Sequence, residues 1–157
     1  MSDTKGQQLR LLYLVIQQDT KIQQKLISVM ERLHEALLEL DTEQVNVLVQ
    51  TQHQLLTSIE KNGHQREQLL AVLGISADRQ GMQRMLAQLP ELLREQFTRL
   101  WDVYTRTIKT SHQLNLRNGQ LMSQQNQLIT RMLTGSPTTY GDSEPTANYS
   151  SRFIAEG

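Results

Sequence analysis

Cysteine is absent from this 157-residue sequence. Disulfide bonds, cysteine-ligated zinc sites and thiol nucleophiles are therefore excluded. Aromatic residues are scarce as well, at 4% of the chain, and only three prolines occur. A chain that is poor in these residues and rich in glutamine is typical of long solvated helices rather than of sheets.

An excess of one charge sign is also missing, because 16 basic residues balance 16 acidic ones. The basic residues are scattered from Lys5 to Arg152. Nucleic acid and anionic membranes both call for a basic patch, so we expect neither as a partner. The apolar run Leu11–Ile16 is too short for a signal peptide or a membrane span. We therefore expect a cytoplasmic protein without membrane insertion.

Apolar residues recur at helical spacing from Leu9 to Leu40. The stripe is interrupted only by Asp19 and Gln23, and it predicts a helix that packs against another helix. Asp41, followed three residues later by Gln44, is suited to start a new helix. The connection is then very short, so the second helix should fold back antiparallel to the first.

Two further stripes complete the pattern of helices. The second runs over residues 45–73, and Gly74 can end its helix. Ser76 can cap a short helix over about residues 77–88, and Pro90 suits the first position of a last helix that reaches Leu133. The sequence thus predicts an all-α fold, an elongated antiparallel helical bundle of three long helices plus one short helix.

The chain divides into a helical bundle domain at residues 1–134 and a flexible C-terminal tail at residues 135–157, where Gly, Ser, Pro and Thr favour mobility. At about 1.5 Å per residue the last helix spans roughly 65 Å, against roughly 45–50 Å for the first two. Its C-terminal end should therefore project with uncovered apolar residues. The alternative, that the first two helices cover this end, is equally open.

No group of residues predicts catalysis or a cofactor. The four histidines lack metal-ligand spacing, and Ser143 has no strand-turn-helix setting. Phe97, Trp101 and Tyr104 could line a ligand pocket, but their spacing favours core packing. We therefore expect no enzymatic activity, no metal and no cofactor.

The end of the last helix is unusually poor in charge. Between Asn118 and Leu133 only Arg131 is ionisable, and the polar face consists of Gln, Asn and Ser. Such a face around Leu and Met suits a surface that is sometimes bound and sometimes wet, and methionine adapts to varied partners. An amphipathic partner helix can lie along a stripe of this kind.

Three short segments in the last third of the chain carry a family resemblance. They are N-G-x-L-M at Asn118–Met122, the segment Asn126–Leu133, and T-Y-G at Thr139–Gly141. With a glutamine-rich helical hairpin before them, these segments resemble the FlgN family of flagellar export chaperones. The resemblance implies a cytoplasmic, ATP-independent chaperone that holds the C-terminal segments of the hook-filament junction proteins FlgK and FlgL. It also implies delivery of these proteins to the export gate protein FlhA.

The resemblance implies roles for individual residues. Docking to the export gate falls on Tyr140, with Tyr149 and Phe153 as rival anchors in the tail. The alternative function is a structural coiled-coil protein that self-associates through its third long helix. Under the chaperone hypothesis, substrate binding falls on Asn118, Leu121, Met122, Gln125, Leu128, Ile129, Met132 and Leu133.

Overall fold

The protein is a helical bundle with its first helix at the centre. The computed structural model describes the backbone of residues 2–135 and the side chains of residues 4–135. Helix α1 packs along both α2 and α4, and α3 lies against α4. No strand occurs in residues 2–135, so the all-α fold of three long helices and one short helix is confirmed. The helices are α1 (Ser2–Leu38), α2 (Thr42–Val72), α3 (Arg79–Gln88) and α4 (Glu91–Thr134).

The three predicted helix starts have different outcomes. Pro90 is the N-cap of α4, one residue before the first helical position that was predicted for it. The side chain of Asp41 accepts from the backbone N–H of Gln44 at 3.2 Å, as predicted for α2. The cap of α3, however, is Asp78 and not Ser76, because Asp78 Oδ1 accepts from the Gly81 N–H at 2.6 Å. The Ser76 hydroxyl donates to the same carboxylate. The bond from Gly81, and then that from Ser76, lowers the pKa of Asp78.

The core follows the predicted stripes. Phe97 and Tyr104 are fully buried, and the ring of Phe97 meets Tyr13 edge to face at 5.1 Å. The interpretation of Phe97 and Tyr104 as core residues is therefore confirmed, and Trp101 packs against the same core while it stays partly exposed. The tail predicted at residues 135–157 lies outside the described residues apart from Gly135, so the division of the chain stays a prediction.

Polar side chains fix how α4 lies along α1. Three of them on α4 bond to α1, and in each bond the two residues are 88 positions apart. The bonded residues recur every seven positions on both helices, which is the register of a parallel coiled coil. The two helices therefore run in the same direction, and α2, which lies between them in the chain, runs antiparallel to both. The bonds are Ser111 Oγ to Gln23 Oε1 at 3.0 Å, Asn118 Nδ2 to the Met30 carbonyl at 2.8 Å, and Gln125 Nε2 to the Leu37 carbonyl at 2.7 Å.

A buried polar cluster joins all three long helices. Arg66 Nη1 on α2 lies 3.6 Å from Asp19 Oδ2 on α1 and donates to the Tyr104 hydroxyl on α4. The guanidinium carbon of Arg66 lies 5.3 Å from the centre of the Tyr104 ring. All three residues are buried. Burial raises the pKa of Asp19 to about 6, although the charge of Arg66 lowers it.

The raised pKa of Asp19 gives the stability a specific pH dependence. Its ordinary value is 3.8, so the folded carboxyl holds its proton more tightly than the unfolded one. The resulting stabilisation is complete below the unfolded pKa and is lost as the pH rises through about 6. Between about pH 5 and 7, the free energy of unfolding should fall by roughly 1 kcal/mol more in the wild type than in Asp19→Asn.

Chemical denaturation at the two pH values measures this difference. Asp102→Asn is the matched control, because Asp102 is exposed on α4. The control should keep the pH dependence of the wild type. If Asp19→Asn keeps it too, the raised pKa is wrong.

Candidate functional site

Helix α4 extends beyond the hairpin formed by α1 and α2. The three polar bonds place each α4 residue beside the α1 position numbered 88 lower. By this offset Thr134, the last residue of α4, is level with a position 46 on the extended axis of α1. Helix α1 ends at Leu38, eight residues earlier. At about 1.5 Å per residue the projecting end is about 12 Å long. We call residues 127–134 the overhang.

The structure divides the eight substrate-binding candidates into two groups. Asn118 is buried and its amide donates to Met30, while Gln125 donates to the last turn of α1. Leu121 and Met122 are half-buried and pack against a small apolar cluster at this end of the bundle. These four residues therefore support the base of the overhang. That cluster consists of Leu33, Ala36, Leu37 and Leu48.

The other four candidates lie on the overhang and are exposed to solvent. They are adjacent along one short stretch of helix rather than scattered singly over the surface. A contiguous apolar patch of this kind typically marks an interaction site. The exposed fractions are 58% for Leu128, 52% for Ile129, 77% for Met132 and 81% for Leu133.

Three of these exposed residues continue the face of α4 that packs in the bundle. Leu128, Ile129 and Met132 each follow by seven positions one of the residues Leu121, Met122 and Gln125. Side chains seven positions apart lie on nearly the same face of a helix. The overhang therefore presents the inner face of the bundle to the space beyond the α1–α2 turn.

The α1–α2 turn holds a leucine in a left-handed conformation. Leu40 has φ 56° and is 71% exposed, so the predicted stripe of α1 is wrong at its last position. Its N–H donates to Leu37 and that of Asp41 donates to Ala36, which are the two bonds of a Schellman motif. The same motif ends α2, and there the left-handed residue is Gly74, at φ 71°. Glycine fits this position without steric cost, whereas leucine does not.

Two more apolar residues near the turn are exposed, Leu38 and Val47. Sequence analysis did not assign them, or Leu40, to a binding surface. The available signal was the absence of Gly or Asn at the end of α1, where a left-handed residue usually stands. The apolar surface at this end thus combines the overhang with residues near the turn.

The same end of the bundle is acidic. Exposed carboxylates surround the turn, at Glu35, Glu39, Asp41 and Glu43. No lysine or arginine occurs between Leu33 and Glu60. The last turn of α1 has no basic residue, and within residues 4–135 none of these four carboxylates forms a salt bridge. The exposed carboxylates therefore favour a positively charged neighbour, whereas the C-terminal end of α1 and the N-terminal end of α2 meet at this turn with helix dipoles of opposite sign.

The rest of the described chain offers little chemistry. Among residues 4–135 no group of three His, Asp or Glu side chains is placed to hold a metal ion. A groove of about 360 Å³ lies at the opposite end and is lined in part by Leu73, Gly81 and Met85. Phe97, Trp101 and Tyr104 do not line this groove. No helix within residues 2–135 is long and apolar enough to cross a membrane.

Comparison with known protein families gives a match. The model of the FlgN protein family matches residues 10–143, which is most of the chain. The chain belongs to the FlgN family. FlgN proteins are flagellar export chaperones that bind flagellar substrate proteins, and the four-helix architecture accords with this role. No curated protein and no solved structure matches the chain significantly.

The left-handed leucine of this FlgN family protein should cost stability. We expect Leu40→Gly to raise the free energy of unfolding by about 1 kcal/mol, because glycine adopts this conformation freely. Gly74→Ala supplies the reverse change in the same motif, and a Cβ there would meet no atom within 4 Å. It should lower the free energy of unfolding by about 1 kcal/mol. Urea denaturation of both variants measures the changes, and a loss of stability in Leu40→Gly would contradict the assigned conformation.

Proposed function

We propose that this FlgN family protein binds the C-terminal segments of FlgK and FlgL and delivers them to the export gate protein FlhA. The observation that carries the proposal is the uncovered apolar face of the overhang. A chaperone for an unfolded segment needs such a face. Family membership supplies the class of cargo.

The overhang suits a cargo that must later be released. The surface that it offers to a cargo is small, and its apolar residues are Leu128, Ile129, Met132 and Leu133. Ordering a disordered segment on binding offsets about 2–5 kcal/mol of the gross interaction. Burial of a few apolar side chains against this cost gives a complex that can be undone at the export gate.

The remaining candidates support this surface indirectly. Asn118 and Gln125 hold α4 in register with α1 through their bonds to main-chain carbonyls. Leu121 and Met122 anchor the base of the overhang on the cluster beneath it. In the proposal they fix the direction in which the overhang projects, and the four exposed residues contact the cargo.

Tyr140 is proposed as the contact to FlhA. It lies outside the described residues, five positions after Gly135, which ends α4 with φ 68°. An extended chain of five residues reaches at most about 17 Å. A tyrosine tethered this close to the overhang would bring a second, weak contact to a cargo complex without fixing its geometry.

The cargo surface is tested by Leu128→Asp combined with Met132→Asp. We expect binding of a FlgK C-terminal peptide to weaken by at least about 100-fold, since two carboxylates would enter an apolar interface. Isothermal titration calorimetry measures the affinity, and circular dichroism measures the helix that the peptide gains.

The matched control is Leu11→Asp with Leu14→Asp, two exposed leucines on α1. This variant should bind the peptide as the wild type does. Unchanged binding in the overhang variant, with its fold intact, would remove the assigned surface.

The contact to the export gate is tested by Tyr140→Ala. Loss of one tethered aromatic ring should weaken binding to the cytoplasmic domain of FlhA by about 10-fold and leave binding of the FlgK peptide unchanged. Tyr149→Ala and Phe153→Ala are the controls in the same tail. An equal loss for FlhA and for the peptide, or a loss only in a control, would contradict the assignment of Tyr140.

A further inference from the structure

Beyond the choice of cargo, the structure bears on how the cargo is oriented. Resting on the proposed function, we infer that the bound segment is an amphipathic helix that lies in line with α1, above the α1–α2 turn, with a basic end facing the turn. The inference combines the register of α4, the exposed residues of the turn and the charge at this end.

The register determines where the bound helix lies. Up to Gln125, the inner face of α4 is covered by α1. The next residues of that face, Leu128, Ile129 and Met132, would be covered if α1 were longer by about two turns. A helix seated in the line of α1 would therefore meet α4 as α1 itself does. It would complete the interrupted seam of the bundle.

The turn would then lie beneath the end of the bound helix. Leu40 is held there in the left-handed conformation with its side chain in solvent. Exposed Leu38 and Val47 extend the apolar surface on either side of the turn. These residues offer contacts to the first turn of a helix that stands above them.

The charge decides the chemistry of that end. The carboxylates of Glu39, Asp41 and Glu43 are exposed at the turn and give it a negative potential. On the overhang, Arg131 is the only ionisable residue. Lysine or arginine side chains on the partner, or the positive end of its helix dipole, would be stabilised here.

The same charges disfavour the two occupants that the chain itself could supply. The segment of residues 136–157 contains Asp142, Glu144 and Glu156 but only one basic residue, Arg152. A second copy that docked through the same end would bring its own acidic turn to the contact. Like charges facing each other across an interface are unfavourable, so a separate partner with a basic end fits best.

Charge reversal at the turn tests the inference. Glu39→Lys with Glu43→Lys leaves Asp41, the cap of α2, in place. The probe is the C-terminal segment of FlgK, titrated into the full chain. Its affinity should fall about 10-fold at about 50 mM salt and by less than about threefold at about 500 mM, because salt screens exposed charges.

The matched control is Glu91→Lys with Glu95→Lys. These residues are also four positions apart and exposed, and Glu91 lies in the first turn of its helix as Glu43 does. The control therefore reproduces the change in net charge and in helix dipole at the far end of the bundle. It should leave the affinity within about twofold of the wild type at both salt concentrations.

A second peptide tests whether the basic residues of the partner face the acidic turn. In this peptide every lysine and arginine of the FlgK segment is replaced by glutamine. It should bind the wild type and Glu39→Lys with Glu43→Lys with equal affinity. Circular dichroism of each variant establishes that the fold is retained.

The outcomes separate this inference from the proposed function. Equal or tighter binding of the native probe by Glu39→Lys with Glu43→Lys overturns the orientation, while binding that still depends on Leu128 and Met132 keeps the chaperone proposal. Failure of the wild type to bind the probe overturns both. Concentration-dependent sedimentation that Leu128→Asp with Met132→Asp abolishes would assign the overhang to a second copy and overturn the inference as well.

Discussion

The register between α1 and α4 is the constraint on which the rest of the structure depends. Polar side chains bond across this seam at intervals of seven residues, with a constant offset of 88 positions. A slip of one heptad would place the Ser111 hydroxyl beside Met30 or Ile16 instead of Gln23. The Ser111 hydroxyl would keep its bond to the Ile108 carbonyl, but Gln23 Oε1 would lose this donor, and a buried polar group without a partner costs about 1–3 kcal/mol. Together with the helix ends at Leu38 and Thr134, the offset determines how far α4 outruns α1.

The cluster of Asp19, Arg66 and Tyr104 extends this constraint to the third long helix. An entirely apolar seam would stabilise the bundle at least as well, because desolvation of a buried ion pair often cancels its attraction. The cluster instead favours one arrangement of the three long helices over others. Arg66 reaches α1 and α4 together, which ties the position of α2 to both helices. Polar residues at seam positions are known to select one register at some cost in stability.

Much of the fold could be predicted from the sequence, because apolar spacing determines which face of each helix is buried. Spacing does not tell what a polar residue on that face contacts. Asn118 and Gln125 stood in the stripe beside Leu121 and Leu128, and only the three-dimensional register shows that their amides bond to α1. The conformation of the α1–α2 turn was still harder to predict from the sequence. Leu40 continued the stripe by spacing, but the Schellman bonds place it in solvent. Its neighbours at this end come from different helices, which no local pattern reveals.

At the overhang, the bundle lacks a helical segment that would cover the inner face of α4. Helix α4 supplies the inner face, and α1 ends in a turn that exposes apolar side chains within an acidic rim. Continuing α1 by two turns would bury these residues permanently and add stability. Leaving them exposed keeps the free energy of that burial available for a partner. Because buried polar contacts already fix α1, α2 and α4 relative to one another, the backbone of the site is organised before a partner arrives, and the cost of ordering on binding falls on the partner and on the exposed side chains of the overhang.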